Sequence, residues 1–152
     1  MIFLLLLCLL VNYSQLSFSA EQHNNISFGS LKSNKVNVRA GPSTDYPVAI
    51  TYEIQALPIK IIAEYDNWYK IVDSEGDGGW IKKYLISNVR TVLVKQDSIL
   101  YSSYKETSKP LFRVEKNVIL KLKKCKQYRC KVSYDKKKVG WIDRDMVWGI
   151  DE

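Results

Sequence analysis

Gly79-Trp80-Ile81-Lys82 is written a second time, 61 positions later, as Gly140-Trp141-Ile142-Asp143. At the same spacing Trp68-Tyr69-Lys70-Ile71 aligns with Arg129-Cys130-Lys131-Val132, and Leu85 with Met146. Further upstream Val38 pairs with Leu100 at a spacing of 62, and Pro47 with Pro110 at 63. Self-similarity at a fixed period means that one structural unit has been repeated. The repeat divides the chain into two units, residues 28–88 and 90–149, joined by a short linker near Ser87 to Arg90. Each is about 60 residues, near the lower limit for a domain that folds by itself.

Within the first unit the signals are those of strands. Val36 and Val38 alternate with polar residues over Asn34 to Arg39, the period-2 pattern of a half-buried strand. Apolar-rich runs follow at Val48 to Ile54, Pro58 to Tyr65, Trp68 to Val72 and Gly79 to Ile81. Between them stand Ala40-Gly41-Pro42-Ser43-Thr44-Asp45-Tyr46-Pro47, Asp66-Asn67 and Ser74-Glu75-Gly76-Asp77-Gly78-Gly79. Such Gly-, Pro-, Asn- and Asp-rich breaks are turn and loop chemistry. No stretch has a helical period, so short strands at this spacing predict small all-β barrels.

Val36-Asn37-Val38-Arg39-Ala40-Gly41-Pro42-Ser43, a later Pro, Trp68-Tyr69-Lys70-Ile71, and Gly79-Trp80 with Tyr84-Leu85 resemble the bacterial SH3-like domain. The second unit lacks the opening motif, having Ser98-Ile99-Leu100-Tyr101-Ser102 in its place. Its Gly-Trp pair and its Cys-x4-Cys segment are similar to the second half of tandem SH3-like proteins exported by alphaproteobacteria. The resemblance implies two five-stranded, partly open barrels and a non-catalytic binding role near the cell envelope. The resemblance names no ligand; the expected one is peptidoglycan or a peptide, and the alternative is a protein partner or an anionic envelope surface. The paired-tyrosine loop through which eukaryotic relatives bind polyproline is absent.

The first residues read differently. Ile2 to Val11 is an apolar run of ten residues, long enough for a signal-peptide core and too short to span a bilayer. Cleavage after Ser19 puts Ser17 and Ser19 at the small-residue positions, which makes residues 1–19 a signal peptide. No Lys or Arg precedes the run, and an uncleaved apolar anchor is the alternative. Export to the periplasm or envelope follows from the signal, with no membrane span once it is removed and no nucleic-acid partner.

Of the three cysteines, Cys8 leaves with such a signal and Cys125 and Cys130 remain. Four residues separate them, the spacing at which a hairpin sets two side chains opposite each other within disulfide range. An exported protein keeps such a bond; two reduced structural cysteines or a reactive thiol are the alternatives. The single histidine, His23, rules out histidine-rich zinc chemistry. It also lies more than a hundred residues upstream of either mature cysteine, which argues against a Cys-His peptidase. Asp143 and Asp145 share a strand face without an evident pocket. No enzyme, metal or cofactor is expected.

Two candidate surfaces remain. Tyr46, Trp68, Tyr69 and Tyr84 are the aromatics placed to line a groove between the Pro-rich loop and the Asp66 turn. One of Trp68 and Tyr69 must face outward, because strand neighbours alternate. Arg39 either anchors the loop through its several donors or meets the ligand; Trp80 and Trp141 read as core. The charge is uneven. Lys+Arg number 23 against 16 Asp+Glu, a net +7, but residues 21–90 balance at eight of each, so the whole excess falls after residue 90. Lys121, Lys123, Lys124, Lys126, Arg129, Lys131, Lys136, Lys137 and Lys138 form the expected basic patch. It is either a solvated face that discourages edge pairing or a surface for anionic polymers and headgroups.

Overall fold

The computed structural model describes residues 27–151; the signal peptide expected at 1–19, Cys8 and His23 lie outside them. The first unit contains β1 (Ser27–Leu31), β2 (Val36–Arg39), β3 (Val48–Tyr52), β4 (Pro58–Tyr65), β5 (Trp68–Val72), β6 (Gly78–Lys82), a 3-10 turn (Lys83–Leu85) and β7 (Ile86–Ser87). The second contains β8 (Thr91–Val94), β9 (Ser98–Tyr101), β10 (Pro110–Val114), β11 (Ile119–Lys126), β12 (Arg129–Ser133), β13 (Val139–Asp143), a 3-10 turn (Arg144–Met146) and β14 (Val147–Trp148). Each forms one antiparallel seven-stranded sheet, ordered β3-β2-β6-β5-β4-β1-β7 and β10-β9-β13-β12-β11-β8-β14. No strand crosses from one sheet to the other. The five strands expected in the first unit are present, and β1 and the two-residue β7 extend the sheet beyond them.

The period is repeated in the backbone as well as the letters. Ala56 and Asn117 sit at φ 61° and 67°, and Asp66 and Gln127 both at 47°. The latter two open the tight turns between β4 and β5 and between β11 and β12, where Tyr65 pairs Trp68 and Lys126 pairs Arg129. Each hairpin then ties back to its 3-10 turn, through Lys83 N–H to Asn67 O at 2.9 Å and Arg144 N–H to Tyr128 O at 2.7 Å.

The repeated Gly-Trp pair has a steric cause. A Cβ on Gly79 would lie 2.5 Å from the Arg39 carbonyl oxygen, and one on Gly140 would lie 2.7 Å from Leu100 Cβ. These glycines are where β6 and β13 cross β2 and β9, and only hydrogen fits between the backbones. The next residue but one, Ile81 or Ile142, drops fully into the core.

There are two cores. Leu31, Val36, Val38, Ile59, Ile71 and Ile81 fill the first; Val92, Val94, Leu100, Leu120, Cys130, Val132 and Ile142 fill the second. Truncating any of the fully buried isoleucines to Ala would cost about 2–5 kcal/mol. Trp141 is buried, at 8% exposed, as its reading as core required, whereas Trp80 is only half-buried, which corrects its assignment; neither ring joins the two clusters. In both strands the isoleucine takes the inward position, so the tryptophan beside it faces the other side of the sheet.

The units meet through small, specific contacts. Ser30 Oγ donates to Val89 O at 2.6 Å and Thr91 Oγ1 to Ala56 O at 2.7 Å. The Phe28 ring meets Trp148 edge to face, centroids 5.1 Å apart. Among the described residues no helix is long and apolar enough to cross a membrane.

Candidate ligand-binding groove

The loop from Ala40 to Pro47 folds over the outer face of β5 and β6, and Arg39 holds it there. Its Nη1 donates to Thr44 O at 3.0 Å and Tyr46 O at 2.7 Å, the anchoring role open to it in the sequence. The ring of Tyr46 lies over Gly41, where a Cβ would come within 2.6 Å of it. Gly41 is therefore required by packing, and Tyr46 covers the loop it belongs to.

Trp68 and Lys82 are directly opposite each other on β5 and β6, and the Lys82 ammonium stands 4.4 Å from the ring centroid. Such a cation over an indole contributes about 0.5–1 kcal/mol when partly exposed. Trp68 is only 5% exposed although it is outside the core cluster. With Arg39, Thr44, Lys82 and Tyr84 it lines a groove of about 290 Å³.

Two of the four expected aromatics are thus brought together, Trp68 and Tyr84. Tyr69 is not one of them, because alternation turns it inward against the core cluster and over a separate hollow with Phe28 and Lys83. Tyr46 sits on Gly41, outside the groove lining. Sequence reasoning missed Lys82 as a groove residue; its cross-strand position opposite Trp68 was the available signal. No carboxylate lines the groove. Its polar groups are mainly donors, Lys35, Arg39 and Lys82, which suits a ligand rich in carbonyl, carboxylate or hydroxyl oxygens. Tyr84, 71% exposed, supplies an open aromatic face at the rim.

The equivalent place in the second unit is filled. Arg129 stands where Trp68 stands, and Asp143, its cross-strand partner, replaces Lys82. Arg129 Nε donates to Asp143 Oδ1 at 2.5 Å, and Nη1 donates to Lys105 O at 2.9 Å and Ser108 Oγ at 2.6 Å. Its guanidinium lies 3.7 Å from the Tyr101 centroid, and Tyr104 packs on Trp141 with centroids 5.5 Å apart.

Arg129 is accordingly 8% exposed and is no part of a basic surface. A buried guanidinium must be paired, and it is paired with its own loop. The remaining lysines are strung along the hairpin: Lys126 is at the far end of β11, and Lys136, Lys137 and Lys138 lie beyond Ser133 at the other end, about 17 Å away at strand rise. Along β11 and β12, Lys124 and Lys131 are directly opposite each other, an unfavourable like-charge pair.

Cys125 and Cys130 are also cross-strand partners, with sulfur atoms at disulfide-bonding distance. Among the described residues no three His, Cys, Asp or Glu side chains are grouped to hold a metal. Asp143 is engaged by Arg129.

Residues 32–88 match the family model of the bacterial SH3 domain. No protein of curated function matches the chain. Among solved structures it is similar to NlpC2 from Trichomonas vaginalis, at 12% identity and a TM-score of 0.37 over 86% of this chain and 52% of that one. NlpC1 from the same organism gives 13% and 0.36, covering 84% and 47%. An NlpC/P60 family protein from Bacillus cereus ATCC 10987 gives 14% and 0.37, covering 80% and 56%. The chain spans about half the length of these structures.

Proposed function

We propose that this protein, whose residues 32–88 form a bacterial SH3 domain, is an exported, non-catalytic binding protein. In this reading residues 28–88 and 90–149 are tandem SH3-like domains, and the first takes a peptidoglycan or peptide ligand in the Trp68–Tyr84 groove. The observation that carries it is the pairing of aromatic surface with the Lys82 ammonium, which forms no ion pair among the described residues, in a groove free of carboxylates. Aromatic walls give rigid amphipathic area, and donors fix oxygen-rich ligands in orientation.

The test is calorimetric titration of the full chain with soluble peptidoglycan fragments. Tyr84→Ala removes an exposed ring and should lower affinity at least tenfold with stability unchanged. Tyr69→Ala, on the other face, should leave affinity unchanged. Absence of binding, or equal binding by wild type and Tyr84→Ala, overturns the assignment.

A second role is supported for the lysine-rich unit, attachment to anionic envelope surfaces. The opposed Lys124 and Lys131 repel each other, and a bound polyanion relieves that repulsion. Binding of this kind should fade as salt rises and the screening length falls from about 10 Å at 0.1 M to about 3 Å at 1 M.

A further inference from the structure

One cleft belongs to neither groove. It lies between the two units, with a volume of about 450 Å³, within the size range of small-molecule sites. Phe28 and Lys60 come to it from the first unit, and Lys95, Arg144, Trp148 and Asp151 from the second. Phe28 and Lys60 are there because they are register partners on β1 and β4. Lys95 is held at the mouth by its backbone N–H bond to Met146 O, 2.9 Å long.

Its aromatic wall is preformed. Phe28 and Trp148 meet at an interplanar angle of 89°, and the Arg90 guanidinium stacks on Phe28 at 5.6 Å. Arg90 also fixes the rim, through Nη2 to Gly149 O at 3.0 Å and Nη1 to Asp151 Oδ2 at 3.2 Å. Gly149 itself, at φ 112°, has no room for a Cβ, which would lie 2.8 Å from Thr91 O. The one acidic side chain in the lining is therefore already neutralised. Lys60 and Lys95 form no ion pair among the described residues, and Arg144 uses one Nη2 bond on the Asp151 carbonyl.

Three cations facing an aromatic corner, with their only carboxylate already engaged, favour an anion carrying a flat apolar group. We propose that this cleft is a second ligand site, for a small carboxylate that bears an aromatic or apolar ring, and that it exists only where the two units meet. The carboxylate lies between Lys60 and Lys95, and the ring rests on Trp148 and Phe28. The site is independent of the Trp68–Tyr84 groove.

The probe is hippurate, a carboxylate next to a benzoyl group, with hippuramide as its neutral counterpart. Binding to the full chain is followed by the Trp148 indole N–H resonance, assigned through Trp148→Phe. Saturable shifts with Kd on the order of 1 mM are expected for hippurate, at least tenfold weaker for hippuramide. Lys60→Met and Lys95→Met should each weaken hippurate at least fivefold, and Lys121→Met should not. No shift, or equal response to hippurate and hippuramide, overturns the proposal. So does a loss confined to Lys95→Met, which would place the anion on the second unit alone. Tyr84→Ala should leave hippurate binding intact, so the groove and the cleft fail or succeed separately.

Discussion

In the first unit an arginine on β2 and a tryptophan on β5 stand side by side at the groove; in the second the same two positions hold Tyr101 and Arg129. The aromatic and the cation have exchanged places. Both arginines do the same job, donating to carbonyls of the loop after β2 or β9, at Thr44 and Tyr46 or at Ser103 and Lys105. The consequence differs because the anchor's position differs. Arg39 reaches the loop from β2, leaving Trp68 and Lys82 beside an open groove. Arg129 reaches it from β5's counterpart, pairs with Asp143, and closes the space. One scaffold thus carries an open site and a sealed one, and the choice rests on which strand supplies the loop's cation.

Breaking the sealed side should have the largest effect. Arg129→Met removes the bonds of a nearly buried guanidinium to the partly exposed Asp143 carboxylate and to several loop acceptors, and hydrogen bonds to a charged group are worth about 1.5–3 kcal/mol each. Urea unfolding measures it; a loss below about 1 kcal/mol would mean the second loop is held by other contacts. Next is the covalent link, which only the second unit has. Opening Cys125–Cys130, by reductant or by Cys125→Ser with Cys130→Ser, should lower stability by about 2 kcal/mol, the low end for so short a loop. Two alkylatable thiols in unreduced protein would refute the bond.

Arg39→Gln sharpens the open side. It removes two charge-assisted bonds to exposed carbonyls, about 1–2 kcal/mol in all, and should speed amide exchange across Ala40–Pro47 while residues 102–109 stay protected. Equal protection of both loops would contradict the exchange of roles.

The smallest effect separates the units by pH. Tyr52 donates to Asp73 Oδ2 at 2.8 Å, and burial, that bond and the Asp73 and Asp77 charges hold its phenol above the ordinary range. Val114 takes the matching place on β10, opposite Ser98 as Tyr52 is opposite Val36. A raised pKa favours the protonated fold, so this stabilisation is complete below about pH 10 and is lost as pH rises beyond it. Alkaline titration should therefore loosen the first unit more than the second, and Tyr52→Phe should remove the difference. Parallel loosening in Tyr52→Phe would trace it to other groups.

Much of the fold was legible because it is local. Alternation at Val36 and Val38 marked a strand, Asp66-Asn67 marked a turn, and the spacing of 61 marked the repeat. The Cys125 and Cys130 spacing matched the register found. The site was legible only in part. Alternation said that Trp68 and Tyr69 face opposite ways, without saying which side is core; the answer depends on the sheet closing with Ile71 and Ile81 inward. Arg129 read as one more surface cation, because nothing near it in sequence announces the loop residues Ser103 to Ser108 that cover it.

The sequence by itself determined two all-β units and the five main strands of the first, since these follow from the repeat and from period-2 patterning over a few residues. Only the tertiary structure decided where the loop after β2 or β9 lies, which arginine holds it, and that Lys60 and Lys95 line one cleft. The Arg129 contacts join residues 21 to 26 positions apart, and the cleft is lined from both units. Their energies depend on closing the chain into a particular shape, and no local pattern encodes that shape.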